Sequence, residues 1–333
     1  MKPYNNILIV RTDRIGDVIL TTPAVAALRK AYPKARLSML VAPLTRDLIA
    51  GHPDLHEVLV DDRKGIHRGL LGFLRLIRAL RQRRFDMAIV FHTKKRTNSL
   101  CFFAGIPERV GYNHKLGFFL TQKIKDTRPQ GLQHESEYCL DVLRFLGIPA
   151  DSEGLYVSVH EADERWAEKF LGEHRIEPGR LAVIHPGASD PSKQWPAGNF
   201  RAVIDVLQNK YALPVCVIGA SGIKRTAAEI ERDYGNVLDL VGQTSVGQLV
   251  SLLKRSRILI SNDSGPVHIA AALNIPVISI FTRNQPGINP ERWRPLNPNS
   301  KVISPQENPA VSPAVSAVLE AADTLLKRVS QSP

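Results

Sequence analysis

Residues 7–28 read "ILIVRTDRIGDVILTTPAVAAL". A short apolar strand runs into a tight turn and then into a helix-like stretch, the opening of a nucleotide-binding α/β fold. Such a turn ordinarily carries a glycine-rich phosphate loop. Here it holds one glycine, Gly16, between Asp13 and Asp17, with Arg11 and Arg14 alongside. Carboxylates repel phosphate, so this turn calls for another task.

The same strand–helix alternation recurs twice over. In the first half, "NILIVR", "RLSMLVAP", "HEVLVDD" and "FDMAIVFHT" read as strands, with helices over about 22–31, 45–50 and 70–83. In the second half, "RLAVIHPGAS", "LPVCVIGAS", "NVLDLVGQ", "RILISNDSG" and "IPVISIFT" alternate with helices near 199–211, 223–234, 246–255 and 267–273. Repeated βα units predict α/β architecture with doubly wound parallel sheets, covered on both faces. Between the halves, a helix ending at Gly147, a polar turn, a short strand and another helix place a boundary at 150–180. The expected domains are 1–160 and 161–312, facing a central cleft at the C-terminal ends of their strands. A last helix within 313–333 could pack back on the first domain.

A chain of 333 residues is long enough for two such cores, and 44% hydrophobic with 23% charged residues is ordinary globular composition. No apolar run reaches the roughly 20 residues of a membrane span, and the N-terminal apolar run is too short for a signal peptide. The expectation is a soluble cytoplasmic protein. Cys101, Cys139 and Cys216 lack metal or redox spacing and read as buried thiols.

The net charge of +12 favours anionic partners: nucleic acid, phosphorylated small molecules or an acidic membrane surface. No aromatic-interleaved basic patch supports nucleic acid. Residues 63–84, "RKGIHRGLLGFLRLIRALRQRR", hold eight Lys or Arg and no acid. Leu70, Leu74, Ile77 and Leu80 recur near helical spacing, predicting a basic amphipathic helix. Its apolar face belongs on a sheet, and its end is compatible with a lipid surface.

Two segments of the second half suit anions. In "ILISNDSGPVHIAAALNIPVISIF" (258–281), a buried strand ends in a turn and Pro266 opens a helix. The amides of Gly265, Val267 and His268 are expected to be free for a phosphate or diphosphate, with Ser264 capping the helix or donating to the same group. Asp263 would face neutral sugar hydroxyls. In "HPGASDPSKQWP" (185–196), Gly187 permits a close turn, Ser189 offers a hydroxyl, and Lys193 can clamp a diphosphate. Two anion devices in one domain point to a nucleotide-diphosphate donor.

Together, "DRIGDVILTTPAVAALRKAYP", "HPGAS…KQWP" and "NDSGPVHIAAALNIPVISIF" resemble the bacterial lipopolysaccharide heptosyltransferases, the ADP-heptose-dependent branch of glycosyltransferase family 9. "HESEYCLDVLRFLGI" (134–148) extends the resemblance over nearly the whole chain. The resemblance implies a GT-B fold of two Rossmann-like domains, acceptor on the first and nucleotide-sugar on the second. It implies inverting transfer of heptose from ADP-heptose to the Kdo/heptose inner core of lipopolysaccharide, without metal or other cofactor. No D-x-D closes a strand, and "VDDRK" (60–64) reads as a loop.

Carried over motif by motif, Asp17 is the catalytic base, and Ser189, Lys193, Asp263, Ser264, Gly265 and His268 hold the donor. Asp13, flanked by Arg11 and Arg14, is the reserve base, its pKa lowered if those side chains reach it, whereas Asp17 escapes that pairing. An acceptor built on Kdo-bearing lipid A is anionic, so Arg11, Arg14, Arg63, Lys64, Lys94, Lys95 and Arg96 are its candidate contacts, and Asp13 is counted with the acceptor-binding residues. The basic surface would then hold the enzyme on the inner face of the cytoplasmic membrane.

Two donor-side departures stand out: Lys224 and Arg225 where relatives carry an acid, and "FTRNQPGINPERW" where they read "FGPTDP". They bear on the exact sugar or nucleotide more than on the reaction class. The alternative enzyme reading is a GT-B transferase with another nucleotide-sugar donor, or a sugar-nucleotide epimerase.

Overall fold

The computed structural model describes residues 2–151, 154–231, 236–305 and 312–329. The chain divides into two compact units, Met1–Ser158 and Val159–Pro333.

In the first unit the strands are β1 (Asn6–Val10), β2 (Arg36–Val41), β3 (Glu57–Val60), β4 (Met87–Val90), β5 (Glu108–Tyr112) and β6 (Gln122–Ile124). Its helices are α1 (Ile15–Ile19), α2 (Thr22–Ala31), α3 (Gly69–Arg83), α4 (Lys95–Phe103) and α5 (Glu135–Phe145). The second unit carries α6 (Glu161–Glu173), α7 (Ala197–Asn209), α8 (Lys224–Glu231), α9 (Val246–Lys254), α10 (Gly265–Ala272), α11 (Pro290–Trp293) and α12 (Val315–Val329). Its strands are β7 (Leu181–His185), β8 (Val215–Val217), β9 (Val237–Asp239), β10 (Ser256–Asn262), β11 (Val277–Ile280) and β12 (Ser300–Ile303).

The strand order is β3-β2-β1-β4-β5-β6 in the first sheet and β12-β11-β10-β7-β8-β9 in the second. Every described pairing is parallel. Read from its own first strand, each sheet follows the doubly wound order, which reverses direction between the first and fourth strands. Val10 pairs with Val90 at one reversal, and His185 with Ser261 at the other. The loops leaving those residues therefore lie side by side at the strands' C-terminal ends, where open α/β sheets bind ligands.

Burial on both faces explains the unbroken apolar strands. Ile7, Leu8, Ile9 and Val10 are all inaccessible to solvent, as are Ile258, Leu259 and Ile260. Among the described residues no helix is long and apolar enough to cross a membrane.

Several local expectations need correction. Over 45–50 there is a 3-10 turn, Pro43–Thr45, followed by turns rather than a helix. Residues 154–160 form no strand, where a short one was expected. Their backbone bonds go elsewhere: Tyr156 N–H donates to Thr22 Oγ1 (2.9 Å) and Ser158 N–H to the Leu48 carbonyl (2.8 Å). The strands β5, β6 and β12 and the helix α4 carry too little apolar periodicity to be read from sequence. The end of the helix expected over 223–234 lies outside the described residues.

The last helix belongs to the second unit. Val318, Ala321, Ala322, Leu325 and Leu326 of α12 are buried in the core of the second unit, with Phe200, Val203 and Leu207 of α7. Each large side chain buried this way contributes about 1.5–3 kcal/mol, which holds α12 to its own sheet.

Candidate functional site

In the first unit the switch-point loop begins with Arg11. Its guanidinium is buried and serves three carboxylates: Nε donates to Asp13 Oδ1 (3.0 Å), and Nη2 to Asp17 Oδ1 (2.5 Å) and Glu135 Oε1 (2.8 Å). Arg14, extended at the N-cap, lets α1 start at Ile15 and sets Asp17 in its first turn. Glu135, buried at the start of α5, was not legible as a site residue, although its segment was.

This geometry removes the expected contrast between the environments of the two acids. Asp17 does not escape Arg11. Nor is the Asp13 carboxyl lowered: burial pushes it up, Arg11 draws it down, and Asp17 and Glu135 push it up again, leaving it at about 7. One guanidinium cannot neutralise three clustered carboxylates, and the surplus charge is relieved by a proton.

A second node stands beside the first. Buried Asp61 accepts from Arg63 Nε (2.9 Å) and, at both oxygens, from Arg96 Nε (2.8 Å) and Nη2 (2.7 Å). Burial alone would raise its carboxyl, but these two arginines hold it below the usual carboxylate range. Arg63 Nη2 also donates to Thr12 Oγ1 (2.6 Å), which faces His92 Nδ1 at 3.1 Å. Burial, with Arg11, Arg63, Lys94 and Arg128 around it, keeps His92 neutral, at about 3.

The expected acceptor contacts thus separate. Arg11 is buried among carboxylates and is not a surface cation, which corrects that expectation. Arg63 and Arg96 are held in place by Asp61, while Arg14, Lys64, Lys94 and Lys95 are exposed.

In the second unit the two anion segments meet. Asn262, at the end of β10, accepts from Trp195 N–H (3.0 Å) and donates to the Pro186 carbonyl (2.6 Å), stapling one loop to the other. The loop passes close to His185 at Gly187, where a Cβ would stand 3.0 Å from Nε2. Lys193 Nζ donates to Asp263 Oδ2, forming a largely buried ion pair. Lysine and acid, assigned separate tasks from the sequence, are partners in this state.

Ser264 occupies the N-cap of α10 without a side-chain capping bond. Its hydroxyl turns inward to His185 Nδ1 (3.0 Å), Ser261 Oγ (3.0 Å) and the Asn262 carbonyl (2.9 Å). Burial lowers His185 to about 4, so this cluster is neutral. Val267 N–H donates to the Ser264 carbonyl (3.1 Å) and is not free, another correction. Gly265 stands at the helix start, His268 is buried one turn in, and Ser189 is exposed on the lysine loop.

The departing segment after β11 braces that loop. Thr282 Oγ1 donates to the Ser192 carbonyl (2.8 Å), and Arg283 Nη1 to Ser192 Oγ (2.7 Å) and Asp190 Oδ2 (3.3 Å). Lys224 and Arg225 are exposed at the start of α8.

Two doubly wound sheets of this order define the GT-B class of glycosyltransferase fold. The structure matches a family 9 glycosyl transferase from Veillonella parvula with TM-score 0.87 at 23% identity, covering 98% of this chain and 99% of that one. It matches E. coli ADP-heptose lipopolysaccharide heptosyltransferase II with TM-score 0.80 at 21% identity, over 98% and 99% of the two chains. In sequence it is 25% identical over 323 residues to lipooligosaccharide heptosyltransferase 2 of Haemophilus ducreyi, covering 89% of this chain and 88% of that protein. Residues 73–318 match the model of glycosyltransferase family 9 (heptosyltransferase). The chain belongs to that family and is a glycosyltransferase.

Proposed function

We propose that this enzyme transfers heptose from ADP-heptose to the Kdo/heptose inner core of a lipid A-based acceptor, inverting the anomeric centre, at the inner face of the cytoplasmic membrane. The observation that carries this reading is the division of charge between the units. The first holds clustered carboxylates at its switch point, suited to a hydroxyl nucleophile. The second holds a lysine beside a helix start, suited to a diphosphate.

Asp17 takes the proton of the acceptor hydroxyl as its oxygen bonds to the anomeric carbon. The bond from that carbon to the ADP oxygen breaks, and Lys193, with the start of α10, stabilises the charge gained by the diphosphate. An incoming diphosphate competes for the Lys193 ammonium, releasing Asp263 to accept from sugar hydroxyls and set the angle of attack. Arg63 and Arg96, aligned by Asp61, meet acceptor carboxylate or phosphate groups, with Arg14, Lys64 and Lys94 around them. Ser189 is within the same loop as Lys193 and adds a donor.

The test is nucleoside diphosphate release with ADP-heptose, UDP-sugars and GDP-sugars, using Kdo2–lipid A and a heptosylated version as acceptors. Turnover with ADP-heptose alone is expected. Turnover with UDP-sugars only would overturn the donor assignment.

A further inference from the structure

The basic helix α3 does not use its whole apolar surface for packing. Gly72, Leu76, Ile77 and Leu80 are buried, but Leu70, Leu71 and Leu74 are 72%, 82% and 50% exposed, and Ile66 in the preceding turn is 60% exposed. At about 100° per residue, Leu70, Leu71 and Leu74 fall on one arc of roughly 100°, beside the buried face. Leu70 and Leu74, expected to lie on the sheet, are therefore part of an outward stripe.

The display is built rather than frayed. Asp62 accepts from Gly65 N–H (2.9 Å), Asp62 N–H donates to His67 Nδ1 (3.1 Å), and His67 N–H donates back to the Asp62 carbonyl (2.8 Å). Gly72 lies so close to the His67 backbone that a Cβ would come within 2.4 Å of it, which fixes the turn against the helix. Exposed Arg68, Arg75 and Arg78 surround the stripe, and the Asp62 carboxylate is engaged by the turn amides.

We infer that the 66–74 surface docks into an anionic phospholipid bilayer, with Ile66, Leu70, Leu71 and Leu74 among the acyl chains and the flanking arginines on the headgroups. Charge decides the occupant. A symmetric self-contact would set this patch of cations against its own copy, whereas anionic lipid neutralises it. The patch also lies beside the Asp61 node: Arg96 covers the Phe73 ring at 5.0 Å, and Arg63 reaches Thr12 next to Asp13. A lipid-linked acceptor lifted from the bilayer at this edge would meet the anion-binding arginines first. That last step rests on the proposed function; the lipid contact does not.

The test is co-sedimentation of the full chain with acceptor-free vesicles of phosphatidylcholine and phosphatidylglycerol in equal parts, at about 0.15 M salt. Binding is expected, with none to phosphatidylcholine alone. Leu70→Ser/Leu71→Ser, at exposed positions, should weaken it by about tenfold or more. Arg75→Ser/Arg78→Ser should weaken it and flatten its salt dependence. Failure of the wild type to bind, or binding indifferent to both pairs, overturns the inference. So does a concentration-dependent dimer that the leucine pair abolishes. Vesicle binding with no heptosyl transfer to any acceptor would sustain this surface while removing the proposed function.

Discussion

Arg11 Nη2 stands 2.5 Å from Asp17 Oδ1, and the same nitrogen serves Glu135 at 2.8 Å. The carboxylate best matched to the family's catalytic position is thus oriented by a buried cation rather than left free in its turn. The arginine holds the Asp17 side chain in one orientation while it also serves Asp13 and Glu135.

Removing the proton acceptor while keeping the shape tests this. Asp17→Asn should lower kcat by about 10²–10⁴-fold with ADP affinity nearly unchanged, since it removes only proton transfer. Steady-state kinetics and calorimetric ADP titration read the two effects. Full activity in Asp17→Asn would remove it as the base.

Asp13 supplies a pH signature. Its folded-state pKa of about 7 lies above the ordinary aspartate value of about 3.9. The folded protein therefore holds a proton that the unfolded chain releases, and stability is full below about pH 4 and lost as pH rises through about 7. For Asp13→Asn, this loss between pH 5 and pH 8 should shrink, by an amount on the order of a few kcal/mol. Urea unfolding at several pH values measures it, and parallel curves for wild type and variant would contradict the assignment.

The Lys193–Asp263 pair predicts opposite effects for its two members. Lys193→Met should weaken ADP binding by about 10–100-fold, the worth of one charge-assisted contact to phosphate. Asp263→Asn frees the lysine and should tighten ADP alone, yet slow turnover of the full donor. Weaker ADP binding by both variants would mean that the pair is only structural.

Asp61 is expected to matter for stability as well as acceptor use. Asp61→Asn leaves Arg63 and Arg96 without their anion and should cost about 3 kcal/mol in chemical denaturation. Arg63 and Arg96 would lose alignment, so KM for the acceptor should rise more than kcat falls. Equal KM values in both enzymes would exclude the positioning role.

Some of this was legible in the chain. Apolar strands such as 7–10 and 258–260 are buried on both faces, so hydrophobic runs alone reveal them. Lys193, Asp263 and Gly265 could be singled out because glycine turns and helix starts have local chemistry. Glu135 and Asn262 could not be singled out. Their importance lies in what they touch more than fifty residues away, Arg11 for one and Trp195 for the other.

From sequence came the elements, their parallel winding and the family, because periodicity, turn chemistry and motif order are properties of neighbouring residues. Tertiary structure alone decided that α12 closes the second core, that Lys193 pairs with Asp263, and that one arginine serves three acids. It also decided that burial raises the Asp13 carboxyl despite the neighbouring arginine, and that half of a leucine stripe faces outward. Charge and burial act through space, and their balance at any one carboxylate depends on partners that the linear order leaves far apart.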